Sequence, residues 1–479
     1  MRMSCRPNRD CSSKALRLHD FTGGWHLLLV TLTIFLLVSC GGGEDYENPE
    51  IDSTRNTNNW ERIPITTVEE NGSTLTYVKA EPDPDGNVYF AYYEMATSPD
   101  DVQYHQLKLL HWYQGTGRST AYTVANQPAP TGLDGFDFCS QFDLAVNAVG
   151  NPVLIYSVDE ALSNAGPAQF EADIMANFFD AGTWTESIAV LGYVERNAVV
   201  YPDGDASSSM AMAIDSVGDI HIGYQFRYEN IDSANQRHPD LYYVNRDLAT
   251  IHDPISNLAD YGQFEELVDG NSFSTYADQD SVGFECDILI DELDQPVLIY
   301  SERQELDRFS PAVRIAFRDN ETGTWRHEAI ETFPDSYEVS SISAAYFPDG
   351  SIGVAYGVTL PDPEPDRGHR VKFASNQTGS WVTEIVDETT WCGEHTRLAI
   401  SEEGIPAIVY KDIQSHVGRE HQFLKYAELE EDHWVKESID EYGDIGMFNS
   451  FWIDADGRAF VVSYAEEDNQ IVLYRQYGP

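Results

Sequence analysis

The chain has 479 residues, with 80 Asp and Glu against 29 Lys and Arg, which gives a formal net charge of −51 and an isoelectric point near 4.3. A charge excess of this size repels phosphate backbones, so we predict no nucleic-acid partner. Hydrophobic residues make up 42% of the chain and accompany 34 Gly and 22 Pro. This composition excludes disorder and collagen-like structure, because it provides both a core and many turns.

The N-terminal segment is predicted to be an export signal with a lipid-attachment site. Five basic residues precede the run LLLVTLTIFLLV at residues 27–38. A membrane-spanning helix needs about 20 apolar residues, so we predict instead a cleaved signal peptide over residues 1–39. The tetrad LVSC ending at Cys40 resembles a bacterial lipobox. That resemblance implies that Cys40 is acylated and anchors the protein in a membrane; an ordinary signal peptide cut elsewhere is the alternative.

The residues after Cys40 predict a tether and a destination. Gly41 is not the Asp that typically retains bacterial lipoproteins at an inner membrane, so the resemblance favours an exported protein at the outer membrane. Residues 41–59 carry no apolar pattern, and we predict a lipidated Cys and flexible tether over residues 40–59. Removal of residues 1–39 takes away five basic and two acidic side chains, which leaves 24 against 78 and a net charge of −54.

One phrase recurs seven times after residue 60: a short strand, an Asp/Gly turn and an apolar strand that ends in Tyr. The Tyr residues are Tyr92, Tyr156, Tyr224, Tyr300, Tyr356, Tyr410 and Tyr464. The turn residues are Gly86, Gly150, Gly218, Asp294, Gly350, Gly404 and Gly457. A third strand follows, and then a fourth that opens at Gly-Thr/Ser-Trp in several copies. Short strands, Gly-rich turns and the lack of an amphipathic helix are typical of a β-propeller.

The two ends of the repeat region are predicted to share one sheet. The seventh copy stops after its third strand, IVLYRQY, and lacks a Trp strand. The segment WERIPI at Trp60 reads like WRHEAI at Trp325 and WVKESI at Trp434. Pairing it with the seventh copy would cover two open strand edges. The sequence therefore predicts an all-β, seven-bladed β-propeller of four-stranded antiparallel blades over residues 60–479, closed by the strand at Trp60.

With these features the chain resembles bacterial lipoproteins that carry a seven-bladed β-propeller. It is also distantly similar to sialidase-type Asp-box propellers through three degenerate boxes, which end at Trp184, Trp325 and Trp381. In those propellers the box is a structural turn remote from the active site, so the similarity implies a fold and no activity. A sialidase-type enzyme would need three Arg on inner strands, and Arg397 is the only Arg placed just before one.

Three segments place Cys beside an acid shortly before an inner strand, where propellers open their central channel to ligands. We predict a candidate ligand face formed by Asp137, Cys139, Glu285, Cys286, Cys392, Glu394 and His395. Such side chains can bind a metal, but they fall on blades 2, 4 and 6, which are not neighbours. Buried unreactive cysteines and a cysteine pair are the alternatives. We predict no metal and no cofactor.

No catalytic motif stands out, since the chain has no Gly-x-Ser-x-Gly elbow, no His-Glu-x-x-His and no phosphate loop. Long loops rich in acids and aromatics favour recognition of a ligand. We therefore predict a membrane-tethered, non-catalytic binding or scaffold module for a glycan or a protein, rather than an enzyme. The alternative is a glycan-active hydrolase or lyase with its active site at the channel mouth, because paired carboxylates leave no readable motif.

Overall fold

The computed structural model describes twenty stretches of the chain. They are residues 59–67, 77–97, 103–128, 142–157, 172–180, 183–191, 195–196, 199–200, 204–205, 209–228, 239–246, 265–270, 281–303, 311–319, 321–334, 337–360, 369–388, 391–416, 419–442 and 444–477. All regular structure in these stretches is β-strand. Within them no helix is long and apolar enough to cross a membrane.

The strands form antiparallel sheets of four, which we number in chain order. Sheet 1 contains Val78–Pro82, Val88–Thr97, Gln103–Tyr113 and Arg118–Pro128. Sheet 2 contains Phe142–Val146, Pro152–Ser157, Ala172–Asp180 and Thr183–Leu191. Sheet 3 contains Met210–Ile214, Ile220–Tyr228, Pro239–Arg246 and Glu265–Asp269. Sheet 4 contains Ser281–Ile290, Pro296–Arg303, Ala312–Arg318 and Trp325–Thr332.

The remaining sheets follow the same plan. Sheet 5 contains Glu338–Tyr346, Ile352–Thr359, His369–Ser375 and Val382–Asp387. Sheet 6 contains Trp391–Ile400, Pro406–His416, Arg419–Glu430 and His433–Asp440. Sheet 7 contains Met447–Ile453, Ala459–Ala465, Gln470–Gln476 and Trp60–Thr67. Three two-residue strands, Glu195–Arg196, Val199–Val200 and Gly204–Asp205, lie between sheets 2 and 3 in the chain.

The sheets are arranged in a ring around a central channel. Each first strand lies against the first strand of the next sheet, and the first strand of sheet 7 lies against that of sheet 1. Trp60–Thr67 pairs antiparallel with Gln470–Gln476 and forms the outer strand of sheet 7. The propeller-type fold of four-stranded antiparallel sheets, closed by the strand at Trp60, is therefore confirmed.

The core is divided into seven hydrophobic clusters, one at each boundary between neighbouring sheets. Each second strand contributes side chains to the clusters on both sides of its sheet. Every residue of Pro152–Ser157 and of Ala459–Ala465 is buried. A strand between two neighbouring sheets must be apolar on both faces, since neither face meets water. This explains the continuous apolar runs, such as VLIY, in the repeat.

Trp side chains of the fourth strands bond across the sheet boundaries. The indole Nε1 of Trp60 donates to Glu437 Oε1 at 2.7 Å, and the Trp60 ring packs edge-on against Tyr426 at 5.2 Å. The same bond recurs at two other boundaries, from Trp325 to Glu266 at 3.1 Å and from Trp434 to Glu384 at 3.2 Å. Trp60 thus makes the contact that its similarity to Trp325 and Trp434 predicted.

The Tyr that ends the repeat phrase also joins neighbouring sheets. The hydroxyl of Tyr410, in sheet 6, donates to Asp387 Oδ2 of sheet 5 at 2.7 Å, and the Tyr410 side chain is fully buried. Equivalent bonds run from Tyr300 to Asp269 and from Tyr356 to Glu331, both at 2.5 Å. These bonds give the repeated Tyr a structural role, because each one pairs with a buried or half-buried carboxylate at a boundary.

Candidate active site at the channel mouth

The first strands line the channel in layers that follow from the repeat numbering. The residue seven positions before each turn residue forms a middle layer: Lys79, Asp143, Ala211, Asp287, Ser343, Arg397 and Ser450. The residue nine positions before each turn residue forms a mouth layer, closer to the ligand-face loops: Tyr77, Ser209, Glu285, Ser341, His395 and Phe448. The seventh member, at position 141, lies outside the described residues. Both layers line one cavity of about 430 Å³.

Four members of the middle layer hold the ring of first strands together. Asp143 Oδ2 accepts the backbone N–H of Met212 at 2.9 Å, and Asp287 Oδ2 accepts that of Ala344 at 2.7 Å. Two serines repeat this bond in other sheets, Ser343 with Leu398 N–H at 3.1 Å and Ser450 with Ala80 N–H at 2.9 Å. We therefore assign Asp143 and Asp287 a structural role between sheets, which limits their availability to a substrate.

Two cations occupy the same layer. Lys79 Nζ lies 3.0 Å from Asp143 Oδ1. Burial, the largest single influence, lowers the pKa of Lys79, but the charge and hydrogen bond of Asp143 together with Tyr77 raise that pKa overall, so Lys79 stays charged. Arg397 donates from Nη1 to the Thr396 carbonyl at 2.9 Å and faces the cavity. Lys79 is committed to an ion pair, whereas Arg397 is the cation placed to meet an anionic ligand group.

Glu285 is the acid of the mouth layer. Burial raises the pKa of Glu285 to about 7, against the opposing effect of the charges on Arg397, Arg303 and Lys79. The backbone N–H of Glu285 donates to Ser301 Oγ at 3.0 Å, which fixes this part of the first strand of sheet 4. A carboxyl group whose pKa lies near neutral pH exists in both protonation states, as general acid–base catalysis requires.

His395 and Phe448 reach the cavity through strained backbone. Both have left-handed φ angles, 52° and 53°, and both lie at bulges in the first strands of sheets 6 and 7. A non-glycine residue in this region costs of order 1–3 kcal/mol, and such strain is concentrated at functional sites. Here it accompanies two side chains that face the cavity next to each other. The Asn449 amide, which donates to the His395 carbonyl at 3.0 Å, holds the two bulges together.

The mouth layer contains a continuous aromatic wall, formed by Tyr77, Phe448 and His395. The Tyr77 and Phe448 ring centroids are 4.5 Å apart, and those of Phe448 and His395 are 4.7 Å apart. Burial, followed by the charges of Lys411 and Arg397, lowers the pKa of His395 to about 3. The imidazole is therefore neutral at physiological pH. The wall provides an uncharged surface beside Glu285 and Arg397.

Glu285, Cys286 and His395 of the predicted ligand face line the cavity. The Cys286 Sγ, however, lies against Ser209 Oγ at 3.3 Å and the Gly223 carbonyl at 3.8 Å. Burial raises the pKa of Cys286 to about 12, so it remains a thiol. Cys286 therefore lines the cavity without acting as a nucleophile.

Cys392 and Glu394 do not line the cavity. Cys392 is fully buried, and its thiol faces the carbonyls of His369 at 3.3 Å and Asp387 at 3.6 Å. Glu394 pairs with Lys411 Nζ at 2.8 Å; burial alone would raise its pKa, but the Lys411 hydrogen bond and charge lower it. Side chains alternate along a strand, and the bulge before His395 changes which ones face the channel.

Three predicted residues lie outside the described part of the chain, namely Cys40, Asp137 and Cys139. Cys286 and Cys392 are free thiols. Among the residues that the structure describes, no group of three or more His, Cys, Asp or Glu side chains is arranged to hold a metal ion.

Sequence reasoning missed Tyr77, Lys79 and the charged pattern of the middle layer. A signal for them exists: counting back seven and nine residues from each turn selects these positions in every repeat. Charged residues such as Lys79 and Asp143, placed within otherwise apolar first strands, mark the side that faces the channel.

No family model and no curated protein matches the chain. Among solved structures, an ulvan lyase described as a new family of polysaccharide lyase gives a TM-score of 0.51 at 12% identity, covering 82% of this chain and 90% of the lyase. The same lyase has been solved bound to -[GlcA(1-4)Rha3S]-, with a TM-score of 0.49, 12% identity and the same coverage of both chains. An α-L-arabinanase from Penicillium chrysogenum, complexed with arabinobiose, gives 0.42 at 13% identity, covering 70% of this chain and 92% of the arabinanase. A sialidase from Trypanosoma rangeli gives 0.38 at 12% identity, covering 70% of this chain and 54% of the sialidase.

These findings correct the functional prediction made from the sequence. The prediction of a non-catalytic binding or scaffold module is contradicted, because the ulvan lyase that shares the fold is a polysaccharide-cleaving enzyme. The cavity also brings together Glu285, Arg397 and the aromatic wall. At 12% identity the likeness shows the fold alone.

Proposed function

We propose that the protein is a glycan-active enzyme that cleaves an acidic polysaccharide by β-elimination at the channel mouth. The observation that carries this proposal is the carboxyl group of Glu285, whose pKa is raised to about 7 in a cavity that also contains Arg397 and the aromatic wall. Acid, cation and uncharged surface together match what a uronate sugar presents: a proton to remove, a carboxylate to neutralise and a ring face to contact.

Each group has a role in the proposed reaction. The ionised form of Glu285 removes the proton from C5 of the uronate, and Arg397 neutralises the adjacent carboxylate as negative charge develops there. The C5–H electron pair forms the C4–C5 double bond while the C4–O bond breaks. The hydroxyl of Tyr77, in the same mouth layer, protonates the departing oxygen. The products are a reducing end and an unsaturated uronate, so atoms and electrons balance without a cofactor.

Hydrolysis is the second candidate, because a second carboxylate, Asp287, lies one layer below Glu285 on the same strand. Glycoside hydrolases use two carboxyl groups on either side of the scissile bond. Asp287 is less suited to this role, since Oδ2 accepts the N–H of Ala344 at 2.7 Å and Oδ1 that of Ile288 at 2.9 Å. The two reactions differ in their products.

The test measures products from the purified full-length chain in detergent. Ulvan, alginate, polygalacturonate and arabinan would be incubated with it and assayed for ultraviolet absorbance of unsaturated uronates and for reducing ends. Glu285→Gln is expected to lower turnover by about 10²- to 10⁴-fold, the usual contribution of a general acid or base. Glu292→Gln, the same charge change at an exposed turn of the same sheet, is the matched control.

Three outcomes would count against elimination. Saturated products alone would favour hydrolysis, full turnover by Glu285→Gln would remove its proposed role, and no turnover on any of the four polymers would contradict the enzyme proposal.

We also propose that the protein is exported and lipid-anchored through Cys40. Support comes from the apolar run at residues 27–38 and the lipobox-like tetrad that follows it. Labelling with a radioactive fatty acid should mark the wild type and not Cys40→Ser. An unlabelled wild type would exclude the anchor, with no bearing on the proposed chemistry.

A further inference from the structure

Exposed Trp391 and half-buried His369 form an aromatic pair outside the cavity, which we call the rim pair. Their ring centroids are 5.2 Å apart, with 24° between the planes. Trp391 begins the first strand of sheet 6, and His369 begins the third strand of sheet 5. Both positions follow ligand-face loops, so the rim pair lies on the face where the channel opens.

The exposure of Trp391 sets it apart. Its side chain is 52% exposed, whereas every other Trp in the described residues is buried or half-buried. The backbone of Trp391 joins sheets 5 and 6 through a parallel pair with His369, but that bond does not require an indole. A large exposed ring backed by a second ring is a typical feature of a binding surface, because it gives apolar contact area at little entropic cost.

The rim pair is continuous with the proposed active site. Trp391 lies four residues before His395 on the same strand, which at about 3.3 Å per residue is at most about 13 Å from the aromatic wall. Arg370, next to His369, lies 3.5 Å from Glu388, so its charge is paired. Aromatic surface thus extends from the cavity outward between sheets 5 and 6.

We propose that the rim pair is an outer sugar-binding subsite. A polysaccharide chain crosses the rim between sheets 5 and 6, stacks a sugar ring on Trp391 and passes inward to Glu285. The substrate is therefore a polymer long enough to reach from Glu285 to the rim pair, rather than a short oligosaccharide. This inference rests on the proposed function, since it extends the same site.

The test separates the rim pair from the chemistry. On a polymer that the wild type cleaves, Trp391→Ala should raise KM about tenfold and leave kcat unchanged, as loss of one stacking contact predicts. On a trisaccharide from the same polymer, KM should not change. Tyr477→Ala, another exposed aromatic at 43%, is the matched control and should leave both constants unchanged.

Binding without turnover supplies the second measurement. Glu285→Gln and the double variant with Trp391→Ala would be run through gels containing ulvan, alginate, polygalacturonate or arabinan. In a gel that retards Glu285→Gln, we expect the double variant to bind the polysaccharide about tenfold more weakly and therefore to be retarded less. Equal mobility of the two would overturn the rim subsite, as would a gel set that retards neither. Retardation of the wild type that depends on Trp391, without turnover on any polymer, would support the subsite and overturn the proposed enzyme activity instead.

Discussion

The two faces of the ring are built from the same seven repeats and differ in character. At the turn face each turn satisfies itself: Asp83 Oδ1, for example, accepts the N–H groups of Asp85 at 2.9 Å and Asn87 at 2.8 Å. The left-handed position of these turns is Gly in six of seven copies. At the mouth, left-handed φ angles fall on His395 and Phe448, and a buried carboxyl group has a raised pKa.

This difference shows which face of the ring contains features that lower folding stability. Stabilising turn bonds are repeated around one face, whereas the buried acid and the left-handed His395 and Phe448 lie at the other. Features that lower stability persist in a fold when they serve its function. The mouth is therefore where substitutions should separate activity from stability.

The largest expected effect on stability comes from substituting Ala for Gly in sheet 5, where two glycines should respond differently. A Cβ on Gly357 would overlap the carbonyl oxygen of Gly393 in the mouth-side bulge of sheet 6, while a Cβ on Gly350, in the turn, would meet no atom. We expect Gly357→Ala to lower the free energy of unfolding by about 3 kcal/mol. Gly350→Ala should cost about 1 kcal/mol, because its φ of 82° remains unfavourable for alanine. Urea denaturation measures the loss in free energy of unfolding for each variant. Equal losses would contradict the expected difference between the two faces.

The second prediction concerns the pH dependence of stability. The contribution of a carboxyl group at the mouth should change with pH in the opposite direction to that of a carboxyl group at the turn face. Folding raises the pKa of Glu285 from 4.5 to about 7, so its stabilising contribution is complete below pH 4.5 and is lost as the pH rises through 7. At pH 8 Glu285→Gln should be more stable than the wild type by about 3 kcal/mol, and below pH 4 the two should coincide. Thermal melts across this range provide the measurement.

Asp349, at a turn, supplies the contrast for that experiment. Hydrogen bonds from Ser351, first from its hydroxyl and then from its backbone, lower the pKa of Asp349 below 3.8. Its contribution is therefore present above pH 3.8 and is lost as the pH falls. Asp349→Asn should be less stable than the wild type at pH 8, and a gain there would show that the turn face is not self-satisfied.

The boundary bonds should affect stability and not turnover. Tyr410→Phe removes the donor to Asp387, whose Oδ1 still pairs with Lys436 Nζ at 2.9 Å. We expect a loss of about 1.5–3 kcal/mol, the usual cost of one buried hydrogen bond to a charged group. Chemical denaturation and the polysaccharide assay would be run side by side. A loss of turnover larger than the loss of folded protein would extend the functional region beyond the mouth.

Salt should have the smallest effect. The acidic excess of the chain opposes compaction through self-repulsion, and counterions screen that repulsion. We expect the melting temperature to rise by a few degrees between about 0.05 and 1 M salt. Calorimetry at several concentrations checks this, and an unchanged midpoint would mean that local pairing already offsets the charge.

The sequence predicted the fold because every structural position recurs seven times, so one misread strand could not hide the pattern. It predicted the pairing of Trp60 because the segment that begins there is similar in sequence to the one at Trp325. In the structure both indoles donate to a Glu of the neighbouring sheet. Of the predicted ligand face, Glu285, Cys286 and His395 line the cavity, whereas Cys392 and Glu394 do not. Bulges around residues 392–397 shift the side-chain alternation, and that shift, which brings His395 to the cavity, is not readable from composition.

Closure by Trp60–Thr67 sets an order of events during biogenesis. Glu61 bonds to Arg475 across 414 residues of chain, so the strand that contains Glu61 is synthesised first and waits for a partner made far later. Until Gln470–Gln476 arrives, one strand edge at each end of the unfinished ring has no partner. Closing so long a loop is slow, and open edges attract other chains. A protein of this design therefore depends on protection of its early strands until its final sheet is complete.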